Sequence, residues 1–350
     1  PPLASFFEEA PAVQAQRLMG VQVGTLGNHD FDRGIEHLQA MVDLAAAPST
    51  GETGDHPGQP YRYVAANLAK INENLRGVDP VAYLTIAGVS VAVIGIVNEE
   101  APTLVGVGNF GTMTVTDGVE AANHYAMIAR NRGAEVVVVL THKGFESLSP
   151  SPEGPLVDFA EGLTPGLVDV VIGDHTNVKH SMTVNGTLIH ENLSYGNTYA
   201  KTLLTVQPGQ PGSTVGRVGF VTAKSVAFVD PTTSALSGDR SSCGTLTWCD
   251  QRVVSMLMPY RRALAAAFDT RIGTTTAPFD RGGNIERRQE MPLGDLIADG
   301  MRATYGTQLA FFNGGGIRSQ LPACGYMPTD LTLKRSNWNS THDAISACAG

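Results

Sequence analysis

Apolar residues recur along this chain in two rhythms, and their alternation predicts a layered α/β protein. From Glu8 to Met19 the positions Val13, Leu18 and Met19 fit one face of a helix. Val21, Val23 and Leu26 then read as a buried strand that stops at Gly27. A helix follows from about Gly34 to Ala46, with Ile35, Leu38, Met41 and Val42 as its apolar positions. Residues 47–60 are rich in Gly, Pro, Ser and Thr and read as a loop. Tyr61–Leu68 reads as a strand, and 82–87 with 89–97, parted by Gly88, as a hairpin.

A helix over 118–132 precedes Glu135–Leu140, a run of one Glu, four Val and one Leu. Such a run behind a helix fits a strand buried on both faces. A helix around Leu156–Gly162 leads to a second buried strand, Val168–Ile172. Asn185-Gly186, between Met182–Val184 and Thr187–Ile189, predicts a type I′ hairpin. Residues 201–229 read as further strands, broken by a Gln, Pro and Gly run at 207–212. Helices alternate with strands up to Ile172 and strands dominate afterwards, so a first α/β domain is expected over 1–230. A Ser/Thr/Gly-rich linker over 231–249, a helix over 250–268 and a second α/β unit over 269–350 follow.

Composition narrows the function classes. The 350 residues suit two domains better than one. The formal charge is 24 − 33 = −9, with no basic stripe. That balance argues against a nucleic-acid polymer or an anionic membrane as partner. No apolar run approaches the length of a membrane span. The opening Pro1-Pro2-Leu3 has no Met and no basic n-region, so no signal peptide is read there. Cys243 and Cys249 flank a short Gly-containing loop, and spacing alone leaves a local bridge and two free thiols equally open.

Candidate chemistry sits at three strand ends. The first apolar strand ends in Gly27-Asn28-His29-Asp30-Phe31-Asp32, the second in Thr141-His142, and the third in Gly173-Asp174-His175-Thr176-Asn177. Parallel sheets place ligands beyond the carboxyl ends of their strands. If the three strands share one sheet, Asn28, His142 and His175 emerge at one edge. Imidazole nitrogens with an amide oxygen suit zinc, iron or manganese. A capping Asn or Asp would explain the first loop alone, but not His29, nor the repetition at His142 and His175. Asn177 serves equally well as a turn residue. Lys143 and Glu146 read as solvated loop residues, and His37, His56, His124, His180 and His190 as structural.

At this point the sequence resembles the calcineurin-like metallophosphoesterases, and among them the secreted bacterial 5′-nucleotidases. The match rests on Gly27-Asn28-His29-Asp30-Phe31-Asp32, Ala66-Asn67-Leu68, Leu140-Thr141-His142-Lys143-Gly144 and Gly173-Asp174-His175. In the second half it rests on Pro292–Asp299 and Asn313-Gly314-Gly315-Gly316-Ile317-Arg318. The resemblance implies a four-layer αββα sandwich followed by an incomplete α/β nucleotide-binding domain. It implies two divalent ions (manganese, zinc, iron or magnesium) held by Asn28, His142, His175 and Asn177, the last through its amide oxygen. It places His29 beside the phosphate with Asp32 orienting the ring. It places Arg287, Asn313, Gly314, Gly315, Gly316 and Arg318 around the substrate. Arg318 follows three glycines, where backbone and ligand can approach closely, and its planar fork suits phosphate or carboxylate.

The implied function is hydrolysis of nucleoside 5′-monophosphates in the cell envelope or outside the cell. The alternatives are another phosphoester, such as a 2′,3′-cyclic nucleotide or a UDP-sugar, or a binding or adhesion protein without turnover. Residues 1–26 contain no Asp and no His. The family's upstream Asp-x-His block and bridging Asp are therefore unmatched. Residues 331–350 match nothing of the family's final strand and helix, so the reading expects a chain shortened at both ends. Oligomeric state is not readable from the sequence.

Overall fold

Leu38, Val42 and Ala45 lie on one stripe of the Gly34–Ala46 helix and are buried, as its periodicity requires. They share a core with Phe31, Tyr61, Tyr63, Ala65 and Leu68. This computed structural model describes residues 2–194, 196, 198–207, 220–229, 250–268, 271–274, 279, 288–317, 321 and 332–334. They divide into two compact units, Ala12–Ser237, and Pro1–Pro11 with Gly238–Gly350.

The first unit is built in four layers. The helices Ala10–Met19 and Gly34–Ala46 cover a parallel three-stranded sheet of Val23–Thr25, Arg62–Val64 and Val78–Asp79, in that order. The helix expected from Glu8 starts two residues later and runs unbroken to Met19. Glu8 and Glu9 take left-handed backbone angles (φ 54° and 64°), and a separate short helix, Pro2–Phe6, precedes them. Arg17 is fully buried and donates to the carbonyls of Leu44, Ala45, His56 and Pro57, tying the 47–60 loop to the helices.

The second sheet has six strands in the order His180–Val184, Thr187–Glu191, Val170–Gly173, Val136–Thr141, Val89–Ile96 and Val81–Ile86. Its inner pairs are parallel and its two outer pairs are antiparallel hairpins. Asn185 and Gly186 both have positive φ (47° and 84°), as a type I′ turn requires. The helices Gly118–Asn131 and Pro155–Glu161 cover its outer face, burying Ala122, Ala126, Leu156 and Phe159 against Ile94, Val137 and Val171.

Between the sheets lies a third core that joins Val64 and Val23 of one to Val91, Val93, Val136 and Leu140 of the other. The layers meet backbone to backbone at Gly95, where a β-carbon would overlap the carbonyl oxygen of Val64; the Gly95 carbonyl accepts the Ala66 N–H at 2.7 Å. A long antiparallel ribbon, Tyr199–Gln207 with Phe220–Val229, adds Leu204, Val206 and Val221 to this inner core.

One topological expectation is corrected. The strand leading to Gly27 is not in the sheet that carries His142 and His175. Three half-buried residues, one of them Gly24, cannot supply the two apolar faces of a central strand. Val23–Thr25 forms the edge of the smaller sheet instead.

In the second unit the Gln251–Phe268 helix meets the Pro2–Phe6 segment, with the Phe7 and Tyr260 rings 4.9 Å apart. Arg271–Thr274 pairs antiparallel with Thr332–Lys334, and the helix Pro292–Tyr305 buries Leu293. The 231–249 linker and all four cysteines lie outside the described residues. Among the described residues no helix is long and apolar enough to cross a membrane.

Candidate metal and phosphate site

The first loop is shaped by one anchor and one cap. Phe31 is fully buried and stacks on Phe110, with ring centroids 3.9 Å apart. Asp30 accepts the Gly27 N–H at 2.7 Å, which tightens Asn28–Phe31 into a 3₁₀ turn. Burial pushes the Asp30 carboxyl up to about 6, opposed by that N–H and by His142 and His29. With the anchor inside, His29 and Asp32 are turned outward. Their Nδ1 and Oδ2 atoms lie 2.8 Å apart on side chains 65% and 50% exposed. Asn28 points the other way. It is 3% exposed, and its Oδ1 is buried without a hydrogen-bond partner.

The two histidines arrive from adjacent strands of the larger sheet. The His142 N–H donates to the Ile96 carbonyl at 3.2 Å, holding it at the sheet edge. His175 follows Gly173-Asp174 with a left-handed backbone (φ 89°). The His142 Nε2 and His175 Nδ1 atoms face each other at 3.0 Å. Across the seam between the sheets, Gly27 packs on the His142 ring; a β-carbon there would lie 2.8 Å from Cγ. The loops bearing Asn28 and His142 therefore converge, although from two sheets rather than one.

The outward nitrogens have their own partners. His142 Nδ1 is 3.4 Å from Asp174 Oδ2, and His175 Nε2 is 3.4 Å from Glu100 Oε1. Burial alone would raise the Asp174 carboxyl, but the His142 contact and the His175 N–H outweigh it and hold it below its ordinary value. Burial, then the charge of His142, lowers the His175 imidazole.

These residues fit a divalent cation in their chemistry. Two neutral rings carry one N–H each. If both hydrogens face the carboxylates, two lone pairs meet at 3.0 Å, an arrangement that a positive charge between them relieves. Two nitrogen ligands of one tetrahedral ion, each at about 2.0–2.1 Å, stand about 3.3 Å apart. Among the described residues no three His, Cys, Asp or Glu side chains form a ligand cluster. The unpartnered Oδ1 of Asn28 would make the set amide and imidazole together.

Asn177 is the exposed, left-handed residue of the turn after His175 (φ 61°), a conformation Asn tolerates better than most residues. That turn hangs on Glu191, which the sequence reading passed over. Fully buried at the end of a strand with all five positions buried, Glu191 accepts from the N–H groups of Phe145 at 2.8 Å and Val178 at 3.2 Å and from the Thr176 hydroxyl at 2.8 Å. Burial raises its carboxyl, opposed by these bonds. Only Leu188 and Ile189 are apolar in Thr187–Glu191, so nothing local marks this carboxylate as buried.

The reading of Lys143 as solvated is also corrected. Lys143 is 8% exposed; its ammonium pairs with Glu99 and lies 5.8 Å from the centroid of Phe159, so the stem is buried while a carboxylate neutralises the head. Glu99 in turn accepts the Gly118 N–H at 3.0 Å. Glu146 is exposed. Asn98, on the same tip, is 3% exposed with both amide atoms unpartnered.

In the second unit Asn313 caps the Gly314–Gly316 turn, its Oδ1 accepting the Gly315 N–H at 2.9 Å. The turn borders a shallow cleft of about 260 Å³, lined by Met291, Asp295, Phe311, Phe312 and Ile317 among others. Arg287 and Arg318 lie outside the described residues.

This four-layer architecture, with two sheets packed face to face, is one that the chain shares with solved phosphoesterases. The family model for the 5′-nucleotidase C-terminal domain matches residues 271–330. The chain is 27% identical over 320 residues to the endonuclease YhcR of Bacillus subtilis (strain 168), covering 91% of this chain and 24% of that protein. It is 25% identical to the cell wall protein Lmo0130 of Listeria monocytogenes, covering 92% of this chain and 42% of that one. The chain thus spans less than half the length of these relatives. The crystal structure of a 5′-nucleotidase precursor from Thermus thermophilus superposes with a TM-score of 0.67 at 20% identity, over 91% of this chain and 58% of that one. The calcineurin-like phosphoesterase YfkN from Bacillus subtilis superposes at 0.55 and 19% identity, over 76% and 77%. The chain is thus similar to 5′-nucleotidases in fold, and its residues 271–330 match the model of their C-terminal domain.

Proposed function

We propose that the protein hydrolyses phosphoesters, with nucleoside 5′-monophosphates as the preferred substrates and two divalent ions as cofactors. The observation that supports this most directly is the pair of ring nitrogens 3.0 Å apart, His142 Nε2 and His175 Nδ1, with the buried, unpartnered Asn28 Oδ1 on the loop whose Gly27 packs on the His142 ring. Asn28, His142 and His175 would hold metal, with the exposed Asn177 joining them through its amide oxygen. A divalent ion bound there supplies Lewis acidity toward a phosphoryl oxygen and lowers the pKa of water.

The chain's own chemistry is carried by His29. Its Nδ1–H donates to Asp32, which fixes the ring and leaves Nε2 free on an exposed face. Carrying a second proton on Nε2, the imidazolium would stabilise charge developing on the phosphoryl group or pass that proton to the departing ester oxygen, returning to the neutral ring. The C-terminal unit would hold the nucleoside through Arg287, Asn313, Gly314, Gly315, Gly316 and Arg318. The wall-associated name of Lmo0130 supports a place in the cell envelope.

A second reading, another phosphoester, draws on two relatives. YfkN is named a trifunctional nucleotide phosphoesterase and YhcR an endonuclease. The test is metal content and product formation, with the products separated chromatographically, by the full chain on AMP, UDP-glucose, 2′,3′-cyclic AMP and a DNA oligonucleotide. Stoichiometric manganese, zinc or iron, lost in His142→Ala, with AMP turned over fastest, is the expected result. Preference for the oligonucleotide or the cyclic nucleotide would overturn the substrate assignment, and absence of both metal and turnover would favour a binding protein.

A further inference from the structure

We propose that Asp174 and Glu100 are positioning residues that fix the ring tautomers of His142 and His175, so that both facing nitrogens offer lone pairs to one point. This rests on the reading that the histidine pair holds a cation.

Two carboxylates flank the pair symmetrically. Asp174 Oδ2 lies 3.4 Å from His142 Nδ1, and Glu100 Oε1 lies 3.4 Å from His175 Nε2, each on the nitrogen that points away from the other ring. A carboxylate at one ring nitrogen favours the hydrogen there and leaves the opposite nitrogen unprotonated. Applied to both rings, this assigns Nδ1–H to His142 and Nε2–H to His175, and directs the remaining lone pairs at each other across 3.0 Å.

The backbones bearing these carboxylates are fixed independently of the histidines. The Asp174 N–H donates to the Lys143 carbonyl at 3.0 Å. The Glu100 carbonyl accepts from the Thr103 N–H at 2.8 Å and the Thr103 hydroxyl at 2.7 Å, while the neighbouring Glu99 is held by Lys143 and by Gly118. The Asp174 and Glu100 side chains are 64% and 56% exposed. Packing does not account for either carboxylate, and an exposed ion pair contributes little to stability. The tip after the Val89–Ile96 strand thus adds a fourth wall to a site whose other three were visible in the sequence.

The experiment combines ring-nitrogen NMR of the ¹⁵N-histidine-labelled, metal-free chain in mildly alkaline buffer with titration by zinc or manganese alone. His142→Ala and His175→Ala assign the signals. Asp174→Ala is expected to shift His142 toward the Nε2–H tautomer, and Glu100→Ala to shift His175 toward Nδ1–H. Each is expected to weaken metal binding about 10- to 100-fold. Asp174→Asn and Glu100→Gln, which keep an acceptor oxygen, are expected to restore most of both. Unchanged tautomers in the alanine variants would overturn the positioning role, even where His142→Ala abolishes metal binding and so upholds the site. If the unaltered chain binds no ion, the site reading fails, while the tautomer populations still decide the roles of Asp174 and Glu100.

Discussion

Gly27 lies against the imidazole of His142, close enough that a methyl group on its α-carbon would come within 2.8 Å of the ring. The glycine is needed for space rather than backbone freedom, because its φ of −111° is open to any residue. Gly27→Ala is therefore expected to push the ring from its place and to cost about 1–3 kcal/mol of stability through overpacking. The check is a melting curve beside a metal titration. An alanine variant that binds metal as the parent does would show that the contact is not restrictive.

His29 and Asp32 differ from Gly27 in being largely solvent-exposed, so their loss should leave the fold alone. His29→Ala is expected to lower kcat by about 10²- to 10⁴-fold. Stability should change by no more than about 0.5 kcal/mol. Asp32→Asn should fall between the two, since an amide holds the ring less firmly. Phosphate release at saturating substrate with a parallel denaturant curve separates the effects; unaltered kcat in His29→Ala would remove the dyad from the reaction.

Glu191 predicts the opposite pattern. Its carboxylate gathers donors from Phe145, Thr176 and Val178 at the base of the His175 turn. Glu191→Ala leaves those donors unpaired in the interior and is expected to cost about 3 kcal/mol. The turn should loosen with it, seen as faster amide exchange at Val178 and weaker metal binding. Native-like exchange at that amide would show that water replaces the carboxylate without loss.

Acid should destabilise the first unit partly through His190. This ring is 1% exposed, contacts the Thr202 hydroxyl through Nε2 at 3.0 Å, and has a buried, unpartnered Nδ1. Burial pushes its pKa down to about 4. The unfolded chain, with an ordinary histidine pKa of about 6.5, binds a proton in the window between about 6.5 and 4 that the folded chain refuses. The stability that neutral His190 permits is thus full above about 6.5 and is lost as pH falls, by up to roughly 3 kcal/mol. Denaturant midpoints at several pH values should show a shallower acid slope in His190→Gln than in the parent; equal slopes would rule out the histidine as a source.

Much of the fold was legible because periodicity and burial coincide. The helix Gly34–Ala46 and the hairpin Val81–Ile86 with Val89–Ile96 lie within a residue or so of their predicted limits. Sheet membership was not legible. Val23–Thr25 and Val136–Thr141 both end at a polar loop, and only tertiary pairing separates them into different layers. The strand-end residues Asn28, His29, His142 and His175 were found by residue type. Glu100 and Glu191 were not, because an acidic residue in a loop or at a strand end looks the same in sequence whether it faces water or supports a neighbour. Lys143 was misread for the same reason: nothing local announces Glu99 above it or Phe159 beneath it.

Gly95 gives the architecture an uneven tolerance for evolutionary change. The outward surface of each sheet can be remodelled together with the helices that blanket it. The inner surfaces, pressed backbone to backbone at this glycine, inherit one another's errors. A single added methyl there would overlap the Val64 carbonyl and force the layers apart, shifting the Asn28 loop on one sheet against the histidine loops on the other.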